Sequence, residues 1–183
     1  MSNYHIYGRP NAGSLIVEFL FRELKVDYAI TFVDYETSKK PEFIKKSPMG
    51  KIPVLECPDG TIIFETLAII SHIVSKFPGL TPQLNSAGYD AYVKYMSIMA
   101  TSVYTAYHRQ NHGYYYISKA GFEDLSIRAR EEQSIVYDYF ESILNPYFCN
   151  EIITAADFYF FMLCKWDSNK ADIFVNRPKI NNL

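Results

Sequence analysis

The sequence predicts an α/β domain followed by an all-α domain, and three observations carry that prediction. Strand and helix signals run in the order βαβαββα over the first 77 residues. A polar stretch rich in proline and glycine, "PGLTPQLNS", then breaks the pattern. Beyond it strand signals fade and helical periodicity takes over. The expected division is a first domain over residues 1–78, a linker over 79–86 and a helical domain over 87–183.

Each element has its own local reason. "NYHIYG" reads as a short strand, and "SLIVEFLFREL" carries apolar residues at helical spacing behind a possible N-cap, Ser14. "DYAITFVDY" alternates and is rich in strand formers, while "KKPEFIKK" fits a short helix with Pro41 in its first turn. "PVLECPDGTIIFE" holds two strand-like runs joined at Pro58-Asp59-Gly60, a hairpin signal, and "TLAIISHIVSKF" is a strongly apolar helix. Past the break, residues 88–112 and 122–144 have helical periodicity, and a third helix starts near Thr154. There "TAADFYFFMLCKW" has a capping-box layout, with the Thr154 hydroxyl able to bond the Asp157 amide and the Asp157 carboxylate able to reach back, so Asp157 is read as structural.

Composition removes several function classes. Of 183 residues, 49% are apolar and 21% charged, ordinary globular values, and the formal net charge of −2 offers no general attraction to nucleic acid or an anionic membrane. The three cysteines Cys57, Cys149 and Cys164 are widely spaced and form no C-x-x-C pair, which argues against a disulfide framework or a zinc site and for a reducing compartment. "MSNYHIYGRP" starts a strand almost at once, leaving no room for a signal core, and no stretch reaches the length of a membrane span. A cytoplasmic protein is expected.

"KIPVLE" sets Pro53 in what otherwise reads as a buried strand. Proline lacks a backbone donor, so it fits a sheet only at an edge, at a strand's first residue, at a bulge or in a tight cis turn. Downstream, "FETLAII" places Glu65 and Thr66 where a strand turns into a helix, whose first amides lack intrahelical partners and suit an anion. Taken with "TAADFYFFML" and the element order, these motifs resemble the cytosolic glutathione transferases of bacterial, beta-like type over nearly the whole chain. That resemblance implies a thioredoxin-like first domain, an all-helical second domain and a two-fold symmetric homodimer. It implies a cis Pro53 and a backbone edge at Ile52 or Val54 that pairs with a bound peptide, here glutathione as co-substrate with no metal. Glu65 is then expected to meet the ligand's ammonium group, Thr66 its γ-glutamyl carboxylate, and Lys51 its glycyl carboxylate.

Conjugation needs the thiol as thiolate, and a free thiol of pKa ~8.5 is only about 3% ionised at pH 7. Three residues compete to stabilise it. The resemblance matches Tyr7 to the catalytic tyrosine of tyrosine-type classes, brings Ser14 close to the serine of serine-type classes, and matches Asn11 to an asparagine of some bacterial relatives; the beta-class cysteine falls at Gly13. In "YMSIMATSVYTAYHRQNHGYYY", Tyr104, Tyr107 and His108 are expected to meet an apolar second substrate, Tyr104 matching a beta-class histidine. The expected activity is conjugation of glutathione to a hydrophobic electrophile or reduction of organic peroxides; the alternative is a non-catalytic binding or regulatory protein. The chain departs from the pattern at Asn150, where glycine is usual, and family members often run about one helix further, which implies a more open cleft.

Overall fold

A computed structural model describes residues 3–183, with Asp172 described by its backbone alone. The chain divides into two compact units between Leu80 and Thr81.

The first unit holds β1 (Tyr4–Gly8), α1 (Leu15–Glu23), β2 (Tyr28–Phe32), α2 (Tyr35–Ser38), α3 (Pro41–Ile44), β3 (Val54–Glu56), β4 (Ile62–Phe64) and α4 (Thr66–Lys76). Its sheet has the order β2-β1-β3-β4, with β2 parallel to β1 and the β1–β3 and β3–β4 pairs antiparallel. This mixed sheet with its helices is the thioredoxin-like arrangement. Period-two alternation along β1 turns Ile6 into a core with Ile16, Val17, Leu20 and Phe21 of α1 and Ile69, Ile70 and Ile73 of α4, all fully buried. Each such side chain contributes about 1.5–3 kcal/mol of transfer free energy. A second cluster is built on Val33, Phe43 and Val54, with Tyr7, Ile52, Ile62 and Phe64 packed against it. The element missing from the sequence reading is α2. Its signal is Asp34, whose carboxylate accepts from the Thr37 amide at 2.7 Å and so caps a four-residue helix.

The second unit is helical: α5 (Ala87–Ile98), a π-helical segment (Met99–Val103), α6 (Tyr104–Asn111), α7 (Phe122–Ile143), α8 (Ala155–Trp166), α9 (Lys170–Asn176) and α10 (Pro178–Asn181). Phe140, Phe148 and Phe160 meet edge-on at 4.8, 5.1 and 5.3 Å between centroids and centre the core. The capping box of α8 is present and wider than its motif: Asp157 accepts from the Thr154 amide at 2.7 Å, the Thr154 hydroxyl at 2.9 Å and the Phe148 amide at 2.9 Å. Asn150 has a φ of 60°, the left-handed region, which asparagine tolerates better than most residues and which suits a position where glycine is usual. The short α9 and α10 lie past the last expected helix; α10 is held by Glu141, which accepts from the Lys179 and Ile180 amides at 3.0 and 2.9 Å. Among the described residues no helix is long and apolar enough to cross a membrane.

Candidate active site

The strand register gathers the chemistry at one end of the sheet. Tyr7 pairs with Val54 and Val54 with Phe64, while Gly8 pairs with Phe32. The loop after β1, the residues before β3, the start of α4 and the end of β2 therefore share one edge.

The Ile52–Pro53 bond is cis. Val54 is paired on both sides within the ladder, whereas among the described residues neither the N–H nor the C=O of Ile52 enters a backbone hydrogen bond. Of the two candidates for an open backbone edge, Ile52 is thus the available one. Lys51 is exposed, its amide donating to the Ser47 hydroxyl at 3.2 Å.

At the start of α4, Glu65 is the N-cap residue and has a φ of 70°, a conformation that L side chains rarely adopt and that concentrates at functional sites. The first backbone bond of the helix runs from the Ile69 amide to the Glu65 carbonyl, so the amides of Thr66, Leu67 and Ala68 have no intrahelical partner. Thr66 is the first helical residue rather than the cap.

The three thiolate candidates are placed differently. The Tyr7 hydroxyl donates to Glu56 at 2.8 Å, its ring stacks on His5 at 4.6 Å, and Lys46 sits 4.8 Å over it. Burial, reinforced by the Glu56 bond, holds this phenol above its usual pKa. Ser14 stands at the head of α1 but does not cap it; fully buried, its hydroxyl turns back to accept from the Arg9 amide and donate to the Arg9 carbonyl, both at 3.1 Å. Asn11 is exposed at the tip of the same loop with a φ of 55°. All three thiols of the chain are pushed up by burial, the opposite of what a nucleophilic cysteine needs.

Beside this loop lies a groove of ≈ 410 Å³ lined by Arg9, Pro10, Phe32, Val33, Asp34 and Tyr35. Its aromatic walls, Phe32 and Tyr35, are 59% and 54% exposed and so offer an apolar surface to a ligand. The sequence reading missed this groove, and the signal was an unbroken "FVDY" whose two rings flank a buried valine.

In the helical unit, Tyr104 and Tyr107 both pack on Trp166, at 5.5 and 5.2 Å. His108 stacks on His112 at 4.6 Å and on Tyr115 at 5.5 Å, and its Nδ1 lies 2.8 Å from the Tyr116 hydroxyl. The three expected residues thus belong to one aromatic cluster, to which the structure adds His112, Tyr115, Tyr116 and Trp166. Among the described residues no group of three or more His, Cys, Asp and Glu side chains is arranged to hold a metal ion.

A thioredoxin-like unit followed by a helical unit, with an open backbone edge beside a proline and a bare helix start, defines a glutathione-transferase-like protein. The sequence model of the glutathione S-transferase N-terminal domain matches residues 14–76. The glutathione S-transferase GstA of Escherichia coli O157:H7 is 23% identical over 169 residues, 88% of this chain and 81% of that protein. A glutathione transferase homologue from Sulfitobacter, crystallised with bound glutathione, superposes with a TM-score of 0.87 at 26% identity, over 99% of this chain and 90% of that one. A probable elongation factor 1-gamma of Arabidopsis thaliana is 37% identical over 73 residues, 39% of this chain; the chain spans only 17% of that protein's length. Residues 14–76 thus match the glutathione S-transferase N-terminal domain, and the chain shares the glutathione transferase fold throughout.

Proposed function

We propose that the chain is a glutathione transferase that conjugates the glutathione thiol to a hydrophobic electrophile or reduces organic peroxides. The observation that carries this reading is the register Tyr7–Val54–Phe64, which sets the Asn11 loop, the open Ile52 backbone and the bare amides of Thr66 to Ala68 along one edge. Glutathione fits such an edge as a short added strand through the N–H and C=O of Ile52, with Pro53 and Val54 forming the wall behind it. Its γ-glutamyl carboxylate accepts from the Thr66 amide and hydroxyl, favoured by the helix dipole, while its ammonium group pairs with Glu65. Lys51 takes the glycyl carboxylate.

Asn11 is our choice for the thiolate donor, because the protons of the Tyr7 and Ser14 hydroxyls are already given to Glu56 and Arg9. Its amide N–H offers a bond of about 1 kcal/mol or more to the sulfur, and the start of α1 adds its dipole. The thiolate then attacks the electrophilic carbon and the leaving group departs with the bonding pair. The Phe32–Tyr35 groove supplies an apolar surface for the electrophile in the first unit, and the Tyr104, Tyr107 and His108 cluster supplies one in the helical unit. The assembly we expect is a cytoplasmic homodimer, which sedimentation at micromolar concentration tests.

Retention on glutathione-agarose, titration calorimetry with reduced glutathione and an assay with a generic aryl halide test the reading together. Binding with turnover supports it, and absence of binding overturns it. Binding without turnover toward several electrophiles supports the second reading, a binding module without catalysis, which the 73-residue match to a probable elongation factor 1-gamma favours.

A further inference from the structure

We propose that Ser14 is a positioning residue: its buried hydroxyl clamps the loop between β1 and α1 and thereby holds the Asn11 side chain where the thiol of bound glutathione needs it. This inference rests on the reading of Asn11 given above.

The clamp is visible in the bonding. One hydroxyl engages both backbone groups of a single residue, accepting from the Arg9 amide and donating to the Arg9 carbonyl, so residues 9 and 14 are tied across the loop. The Ala12 amide also reaches the Arg9 carbonyl, at 3.2 Å, and the Leu15 amide reaches the Ala12 carbonyl at 3.0 Å, which closes the segment into two consecutive turns. Arg9 is itself fixed from outside, its Nε donating to the Val33 carbonyl at 2.9 Å. Asn11 lies between these ties, exposed, in the left-handed conformation that asparagine adopts more readily than most residues. The Ser14 bonds, with the two turns and the Arg9–Val33 tie, fix the backbone from which the Asn11 side chain projects.

Gly8 makes the same point sterically. A Cβ added there would stand 2.4 Å from both Cβ and Oγ of Ser14, so the clamp closes only because residue 8 has no side chain. The Ser14 hydroxyl has one proton, and the Arg9 carbonyl holds it. Direct donation to a thiolate would require breaking the clamp.

The test uses the full chain loaded with reduced glutathione, following the ultraviolet absorbance of the bound thiolate against pH. Asn11→Ala raises the pH midpoint by about one unit, Ser14→Ala raises it by less, and the double variant matches Asn11→Ala alone, the non-additivity expected of residues acting through one another. Gly8→Ala, which displaces Ser14 without changing its chemistry, raises the midpoint as Ser14→Ala does and has no effect in the Asn11→Ala background. In Ser14→Ala, kcat at saturating glutathione falls severalfold while the glutathione Kd changes less than twofold. Additive shifts would make Ser14 a direct donor, and a lowered unfolding temperature with no thiolate shift would make it merely structural; either result overturns the proposal alone. A wild-type protein that binds glutathione without a thiolate band near neutral pH overturns the catalytic reading of Asn11, and this inference with it.

Discussion

The Tyr7 hydroxyl and the Glu56 carboxylate form a 2.8 Å hydrogen bond across neighbouring strands, and Lys46 reaches the same carboxylate oxygen at 2.7 Å. The phenol's proton is therefore committed on the sheet. Tyr7→Phe should cost about 1 kcal/mol of stability, as loss of one partly exposed hydrogen bond does. Thiolate formation and conjugation rate should stay as in the wild type. A tenfold slower conjugation by Tyr7→Phe would return the tyrosine to the chemistry.

The same pair gives stability a pH dependence. Lys46, and after it Tyr7, holds the Glu56 carboxylate below its usual range. A depressed carboxylate contributes stability that is complete above its unfolded pKa, ~4.3, and is lost as pH falls through the lower folded value. Lys46 is raised, chiefly by Glu56, so its contribution is complete below ~10.4 and is lost as pH rises through the folded value. Thermal unfolding followed by circular dichroism should show a shallower decline below about pH 4 for Glu56→Gln than for the wild type. Parallel curves would mean that the ion pair adds nothing in solution.

Thr66→Ala should weaken glutathione binding by ~1–3 kcal/mol, the value of a hydroxyl bonded to a charged carboxylate. Folding should be nearly unaffected, because Glu65 occupies the cap position and alanine favours the helix. Calorimetry and a melting curve read the two effects separately. Unchanged affinity with a large drop in unfolding temperature is the outcome that would remove Thr66 from the ligand site.

Asp157→Ala strands two buried amides and a hydroxyl at once, those of Thr154 and Phe148. A loss of about 2–4 kcal/mol is expected from a missing cap together with unsatisfied buried donors. Any protein that still folds should bind glutathione with wild-type affinity, since the proposed glutathione-binding residues all belong to the first unit and the box to the second.

Trp166 is the sole tryptophan, and its contacts with Tyr104 and Tyr107 make its emission a reporter of the aromatic cluster. Titration with an apolar aryl ligand should quench it saturably, and Tyr107→Ala should weaken that response several-fold. A response unaltered by Tyr107→Ala would place the apolar substrate elsewhere, with the Phe32–Tyr35 groove as the next surface to test.

The parts of the site that depend on a residue type in a fixed local context were legible in the sequence. Pro53 and the Glu65-Thr66 helix start announce themselves because proline has few places in a sheet and because a strand feeding a helix must leave amides bare. The parts that depend on where a side chain turns were hidden. Ser14 has the type and position of an N-cap, yet its backbone is already helical, with φ −66° and ψ −21°, so its hydroxyl faces back along the loop. Val54 and Ile52 looked equivalent until the ladder paired one and left the other open. His112, Tyr115, Tyr116 and Trp166 join Tyr107 and His108 through the fold of the chain after α6 and through α8, which no local periodicity records.

The π-helical segment Met99–Val103 interrupts an otherwise continuous helix, and such a turn holds one more residue than an α-helical turn. One residue corresponds to about 100° of rotation around a helix axis. Converting those residues to regular α-helix at constant length would turn the second half by roughly that angle, swinging Tyr104, Tyr107 and His108 away from Trp166 as a set, whereas deleting one residue would close the wide turn and keep their facing. The facing of the aromatic cluster thus depends on the wide turn between Ile98 and Tyr104 absorbing one residue, and a change that tightened this turn at constant length would reorient all three side chains without altering any of them.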